Sequence, residues 1–596
     1  CCSVEVKSGK ASRFHFSRPE NYVSMYHPEG SDRLYVGGRA TLYMLTFTNR
    51  GVILLLPQIT AASDQTAIDT CKAKSSPLEL ECDNFITVIQ KVNDTLLVCG
   101  TNAGSPRCWM LVNDSVLTDV QGNGQIGPSS DISPPYPSQR SISLPAGNKM
   151  GACTPPCRRW GGQAGSIRRT FGSQKLLKTE NVWLLNPQFA GAAIIPSSVK
   201  YKEEVYFFFS EINKTARVDE EPYRARIGRI CTVDEGGIRA LLADSWTTFM
   251  KARVMCGAGN TQQQYNNMKQ AVVLTAEDKR AGVLYGLFSN AWGRTVICAY
   301  SIEDIDKAFS TSKLKGYSSS FSGSRPGTCV RKNSTAGDHA DIKNLGVIRY
   351  HPEIEDVIRP VGVAPLDLPT DDQITQAVAD IVLAVNDEHY SVLYLGTDQG
   401  KILKVLHTSE GVFIISQYSL FHNEGPVLNM AIDSQKGHLY VGTAMEVQRL
   451  PLADCSRYGD TCRECILSRD PYCGWDRARR RSLKQRRTSP REVMVQSNTS
   501  VFLPCPVRSF HATYRWEKDN CVRNYPCLFS GDFCVLGPAV DTPLKNGVFR
   551  CMATEDGFKV EVISFRLVND GRLLAASLVS TLGPSLLLAM ATLWLH

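Results

Sequence analysis

The chain has 596 residues, 43% of them hydrophobic, which is enough to bury more than one core, so several domains are expected. Its 21 cysteines suit an oxidising secretory compartment, and the odd count leaves at least one thiol unpaired or paired between chains. The formal charge of +8 arises from 66 basic against 58 acidic residues, but Arg477, Arg479, Arg480, Arg481, Lys484, Arg486 and Arg487 fall in one run; taking those seven from 66 leaves 59 against 58, without the distributed basic face of a nucleic-acid binder.

The first three quarters repeat one local pattern, an apolar strand ending in Gly: Arg33 to Gly38, Leu97 to Thr101, Val392 to Thr397 and His438 to Thr443. In three of the four a second apolar run follows after a few residues, at Leu42 to Phe47, Ile402 to Val405 and Val447 to Leu450, as in strands joined by a turn. Further strand-like runs cover Val205 to Phe209, Val283 to Phe288 and Val296 to Tyr300, while long 3.6-residue periodicities are scarce. Repeated small antiparallel sheets over about 450 residues predict an all-β propeller whose blades bury one another's faces. An array of β-sandwiches is the alternative, but it needs linkers every 100 residues or so, and none precedes Cys455.

Between Gly122 and Trp183 the chain becomes rich in Pro, Ser, Gly and Arg, with Cys153 and Cys157 inside, a composition that predicts a loop in place of blade strands. Gly122-Asn-Gly124-Gln-Ile-Gly127 spells a dinucleotide fingerprint, yet Pro128, Ser129 and Ser130 follow where a helix is required. No H-E-x-x-H or G-x-S-x-G occurs and the ten histidines are scattered, so no catalytic residue and no cofactor are predicted.

Cys455, Cys462, Cys465 and Cys473 lie close together beside Asp470-Pro-Tyr and Gly474-Trp475-Asp476. A zinc site would pair the Cys462/Cys465 C-x-x-C with Cys455 and Cys473, which flank it separately, and disulfides fit the spacing better. This block resembles the start of the PSI module that follows the propeller of semaphorins and plexins. Cys82-Asp-Asn-Phe-Ile86, Cys99-Gly-Thr-Asn-Ala103, Trp246 to Arg253, Arg325-Pro-Gly-Thr-Cys329 and Leu395-Gly-Thr-Asp398 are similar to sema-domain signatures, in family order. The semaphorin resemblance implies a seven-bladed propeller (1–452), a truncated PSI-like module (453–476), a basic linker (477–492), an immunoglobulin-like β-sandwich (493–566) and a C-terminal signal (567–596). It also implies disulfides Cys71 to Cys82, Cys99 to Cys108, Cys231 to Cys329 and Cys256 to Cys298. Cys455 can still pair with Cys473, leaving Cys462 and Cys465 without their family partners.

Cys505, Trp516 and Cys551 stand in the order of an immunoglobulin fold, with Phe549 where a corner tyrosine is expected and Cys521, Cys527 and Cys534 left over. From Leu573 to Leu595 no residue is charged, and the sequence stops at His596 without basic flanking residues. A GPI-attachment signal is expected, at Asn569 or Ser577, ahead of a tail anchor or a buried helix. With that tail, the chain most resembles the GPI-anchored class 7 of the family.

Sequons at Asn93, Asn113, Asn213, Asn333 and Asn498 are candidate glycosylation sites. The basic run from Arg477 reads first as a solvated linker; a candidate processing site at Arg477, Arg479 and Arg480, and a heparan-sulfate contact, are the alternatives. The resemblance implies a plexin receptor as partner, a homodimeric ligand on the outer face of the plasma membrane, and roles in axon guidance, migration and adhesion. Class 7 relatives are expected to engage β1 integrin through Arg-Gly-Asp; here the matching positions read Thr232-Val233-Asp234, so this contact is expected to be weak or absent. A carbohydrate-binding or enzymatic propeller, or a semaphorin that has lost signalling, are the competing readings.

Overall fold

The structure, a computed structural model, describes residues 12–569 except 48–52, 56–58, 74–80, 93–94, 113, 115, 120–128, 147–148, 155–164, 172–174, 215–221, 239–240, 258–264, 276–281, 322–323, 330–341, 363, 367, 369, 387, 420–424, 459–460, 475–489, 496–500, 508–510, 520–523, 531–532, 538–546 and 556–557. It divides into a large unit, residues 4–475, and a second unit formed mainly by residues from 476 onward.

Seven antiparallel sheets make up the large unit. Blade 1 holds Ser24–Tyr26, Arg33–Gly37, Thr41–Phe47 and Ile53–Leu55, and blade 2 holds Ile86–Val92, Thr95–Gly100, Arg107–Val112 and Val116–Asp119. Blade 3 is Ile142–Ala146, Lys149–Thr154 and Ser166–Phe171; blade 4 is Gln188–Ile195, Glu204–Ile212, Tyr223–Cys231 and Met250–Val254. Blade 5 is Asn267–Leu274, Val283–Ser289 and Thr295–Ser301, and blade 6 is Ile374–Leu383, His389–Thr397, Lys401–Thr408 and Gly411–Ser419. Blade 7 takes Asn429–Asp433, His438–Gly442 and Glu446–Pro451 from the end of the propeller and its fourth strand, Ser12–His15, from the beginning of the chain. The first strands of successive blades touch in a closed ring from blade 1 round to blade 7 and back. This is a seven-bladed propeller, and pairing Ser12–His15 with Glu446–Pro451 removes the edge that an open arc would leave.

Each blade lies between two neighbours, so its strands are buried on both faces and read as continuous apolar runs instead of alternating ones. Val205-Tyr-Phe-Phe-Phe209 is the extreme case, with every side chain buried. Burying each Phe contributes about 1.5–3 kcal/mol. The four Gly-ended repeats are the second strands of blades 1, 2, 6 and 7. Polar side chains fasten the inner ring: Gln270 Nε2 donates to Ala377 O (3.0 Å), Asn429 Nδ2 to Val23 O (2.9 Å) and Ser143 Oγ to Gln90 Oε1 (2.5 Å).

The loop expected between 122 and 183 is corrected by the structure, since that stretch contributes all three strands of blade 3. Few apolar residues suffice there: Ile167 is fully buried, and Ile142 and Leu144 pack against the same core as Trp183 and Trp246. Between blades 5 and 6 the chain leaves the propeller through helices Ile302–Thr311 and Ile342–Tyr350. It returns as Glu353–Ile358, a strand added in parallel to the outer edge of blade 4. Glu353 closes that excursion by accepting from Arg226 Nη1 at 2.9 Å, while Arg226 Nε and Lys251 Nζ hold buried Glu211 at 2.7 and 2.8 Å.

The second unit is a β-sandwich. One sheet pairs Arg491–Val495, Phe558–Asn569, Gly547–Glu555, Thr513–Lys518 and Asn524–Pro526; the other pairs Leu503–Pro506, Phe533–Leu536 and Leu528–Ser530. Cys505 and Cys551 bridge the two sheets, and Trp516, directly opposite Cys551, is fully buried beside them. Phe549 is buried against Tyr525, ring centroids 6.1 Å apart. A disulfide joins Cys527 to Cys534, and Cys521 lies outside the described residues.

Candidate functional site

The sema-like signatures act as internal locks. Buried Asn84 donates to Ala61 O (2.5 Å) and accepts from Asn102 N (2.9 Å), which joins the approach to blade 2 with the turn after its second strand. A Cβ on Gly100 would sit 2.1 Å from Asn84 Oδ1, so the Gly of Cys99-Gly-Thr-Asn is there because the Asn is. Disulfides Cys71–Cys82, Cys99–Cys108, Cys231–Cys329 and Cys256–Cys298 lie within the propeller.

Thr232, Val233 and Asp234 form the turn leaving Cys231. Asp234 is 5% exposed. Its carboxylate accepts from Gly236 N (2.9 Å), Thr247 N (2.8 Å), Thr247 Oγ1 (2.9 Å), Thr248 N (2.8 Å) and Thr248 Oγ1 (2.7 Å). Arg169, its guanidinium 4.9 Å from the Trp246 ring centroid, donates to Thr232 O (3.2 Å) and Asp234 O (2.8 Å). Asp234 thus organises the Trp246 signature, with its carboxylate lone pairs turned inward.

The PSI-like segment is one short turn, Cys455–Tyr458, and one helix, Cys462–Leu467, closed by the Cys455–Cys473 disulfide. That bond removes two of the four thiolates a zinc site would need, and the zinc reading is set aside on chemistry. A buried polar knot joins the segment to blade 6. Lys404 Nζ, fully buried in the third strand, donates to Asp470 Oδ2 (2.5 Å) and Leu452 O (2.7 Å) and lies 4.5 Å from the Tyr472 ring centroid. Tyr458 OH donates to the same Asp470 oxygen (2.6 Å), and Tyr472 OH donates to Asp380 of blade 6 (2.5 Å). Burial pushes the Lys404 ammonium pKa down against the opposing pull of Asp470, and burial pushes the Tyr458 and Tyr472 hydroxyls up. Arg469, at φ +51°, caps the junction over Phe413, 4.3 Å from its centroid.

One surface feature went unread in the sequence. The turn between the second and third strands of blade 5, Asn290-Ala-Trp-Gly-Arg294, holds Trp292 at 92% exposure. Asn290 Oδ1 accepts from Trp292 N and Arg294 N, both at 3.0 Å, and Gly293 takes φ +82°. The hairpin is therefore fixed before any partner arrives. An Asn and a Gly flanking a Trp between two apolar strands is the signal that could have marked it.

Of the sequons, Asn213 is described and only 8% exposed, while Asn93, Asn113, Asn333 and Asn498 lie outside the described residues. Arg477, Arg479, Arg480 and Ser577 also lie outside them, as does the apolar stretch 573–595. Asn569 is the last residue of its strand and is in register with Val495. Among the described residues no helix is long and apolar enough to cross a membrane.

Three family models match in order: the Sema domain at 268–434, the Plexin repeat at 454–506, and the Semaphorin-3/4/7A immunoglobulin-like domain at 487–575. The chain is 31% identical to Semaphorin-7A of Mus musculus over 597 residues, covering 95% of this chain and 86% of that one. It is 31% identical to Semaphorin-7A of Homo sapiens over 615 residues (98% and 88%), and 27% identical to Semaphorin-4C of Mus musculus over 610 (93% and 72%). Among solved structures, Drosophila Semaphorin 2a superposes with a TM-score of 0.73 at 24% identity, covering 96% of this chain and 99% of that one. The Plexin A4 extracellular region reaches 0.53 at 14% identity, covering 94% and 62%. Fold alone therefore does not separate ligand from receptor in this architecture. The sequence identity along nearly the whole chain does, and the protein belongs to the semaphorin family.

Proposed function

We propose that this semaphorin is a non-enzymatic cell-surface ligand that presents its propeller to a plexin receptor on a neighbouring cell and so controls axon guidance, migration and adhesion. The observation that carries the reading is the intact order of propeller, PSI-like segment and immunoglobulin-like unit, at 31% identity to Semaphorin-7A over 95% of the chain. A chain of that design works by binding geometry, and a symmetric pair at a membrane raises effective concentration enough to offset modest single-site affinity. The ligand is read as a homodimer, held on the outer face of the plasma membrane by a GPI anchor that replaces the apolar tail. Trp292, an open side chain on a turn whose backbone Asn290 fixes, has the character of a contact anchor, because Trp is enriched at the energetic centres of interfaces.

Binding of the recombinant ectodomain to cells expressing individual plexins tests the reading. The protein should end after Asn569, because ending earlier removes residues from the Phe558–Asn569 strand that pair with Arg491–Val495. Saturable binding to one plexin is expected. A folded, secreted ectodomain that binds none of them would overturn the assignment and restore the carbohydrate-binding alternative.

A further inference from the structure

Fourteen cysteines of the described chain are joined in seven disulfides, while Cys462 and Cys465 remain thiols. They are the first and fourth residues of the helix Cys462–Leu467. Helix geometry, with a rise of about 1.5 Å per residue on a radius of about 2.3 Å, separates Cα atoms three residues apart by roughly 5 Å. Disulfides span Cα distances of about 4.4–6.8 Å, so this pair can close a bond with little backbone movement.

The two thiols are not equivalent. Cys462 is exposed and Cys465 is half-buried. Burial, with a smaller contribution from Cys462, pushes the Cys465 thiol pKa up. Its exposure lets Cys462 meet an incoming disulfide first, and the helical spacing leaves Cys465 within reach to resolve what forms, its raised pKa making that second step the slower one. Neither holds the segment together, because Cys455–Cys473 and the Lys404–Asp470 pair do so separately. Ile466, next to Cys465, is 65% exposed and leaves the approach uncrowded.

We propose that Cys462 and Cys465 form a thiol–disulfide exchange site that reacts with small disulfides such as glutathione disulfide. The Cys462 thiolate attacks one sulfur of glutathione disulfide, forming a mixed disulfide and expelling glutathione thiolate, which takes up the proton that Cys462 lost. Cys465 then gives up its proton and attacks the Cys462 sulfur, breaking the mixed disulfide and releasing the second glutathione. The protein dithiol is oxidised to a disulfide, and one glutathione disulfide is reduced to two glutathiones.

The test uses the ectodomain ending after Asn569, equilibrated in glutathione buffers of stepped ratio, alkylated and digested with trypsin. Cleavage after Arg463 separates the two cysteines, so an internal disulfide keeps two peptides joined. The joined pair should rise and fall reversibly with the buffer ratio. Cys465→Ser should accumulate glutathione on Cys462, and Cys462→Ser should be modified at least tenfold more slowly. Full alkylation of both thiols at every ratio overturns the proposal, and so does a Cys462-linked dimer of the native chain. If either variant fails to fold, the native protein's titration still decides, because it requires no substitution.

Discussion

Lys404 is the residue whose removal tests how the PSI-like segment is held on blade 6. In Lys404→Met the ammonium vanishes from a site with no solvent access, and Asp470, equally buried, keeps Tyr458 OH and Tyr472 N as donors but loses its counter-charge. Breaking a buried pair by removing one partner costs about 3–5 kcal/mol. The two surviving donors place the expected cost at the lower end, about 3 kcal/mol, or roughly 150-fold in the equilibrium for releasing the segment. Hydrogen exchange reads this directly. Amides such as Cys473 N, bonded to Asp470 O at 2.9 Å, should exchange faster by that factor, while strand Thr513–Lys518 of the sandwich serves as an unaffected reference. Lys404→Met combined with Asp470→Asn should recover most of the loss, since no unpaired charge remains. Unchanged exchange in the single variant would show that the polar knot does not hold the segment.

Stability should fall as pH drops from 7 toward 5. His27, His407 and His438 all have pKa values lowered chiefly by burial, so below the unfolded value of 6.5 the unfolded chain binds protons that the native chain refuses. Their contribution is complete above that pH and is lost as pH falls toward the native values. His407→Gln, which removes the group bonded to Tyr285 OH at 2.7 Å, should flatten the dependence of Tm on pH; an unaltered slope refutes the assignment. Restoring Arg-Gly with Thr232→Arg and Val233→Gly should not create adhesion to purified β1 integrin, because Asp234 spends its carboxylate on Gly236, Thr247 and Thr248; a gain of adhesion would show that this turn opens. Trp292→Ala should leave the unfolding free energy within about 0.5 kcal/mol of native and weaken plexin binding at least tenfold, and unchanged binding would move the contact elsewhere. Phosphatidylinositol-specific phospholipase C should release the protein from cells; retention at the surface would refute the GPI anchor.

The propeller was legible because its strands are short, Gly-ended and apolar on both faces, as Arg33–Gly37 and His438–Gly442 show. Blade 3 was not legible. Its strands carry Gly151, Arg168 and Arg169 and hold position through pairing and a few buried side chains such as Ile167, a long-range arrangement that composition does not report. The closing strand Ser12–His15 was equally hidden, because its partner lies more than 400 residues away in blade 7. At the Thr232–Asp234 turn the sequence displays an acidic residue but not its surroundings. That Asp234 faces inward depends on Thr247 and Thr248, thirteen and fourteen residues further on.

The family signatures identify the architecture because they are spent inside it. Asn84 and Gly100 fit one another at blade 2, Trp246 and the threonines after it close over Asp234, and Lys251 neutralises Glu211. Residues committed to such locks cannot also vary with the receptor without costing the fold. Partner choice must therefore lie in positions the locks leave free, such as the turn that carries Trp292, whose backbone is fixed by Asn290 while its side chain is not. Exchanging 290–294 with the matching turn of another semaphorin should accordingly shift receptor preference while leaving the propeller folded, whereas breaking a lock, as Asp234→Ala does by orphaning the Thr247 and Thr248 amides, should lower the stability of the propeller.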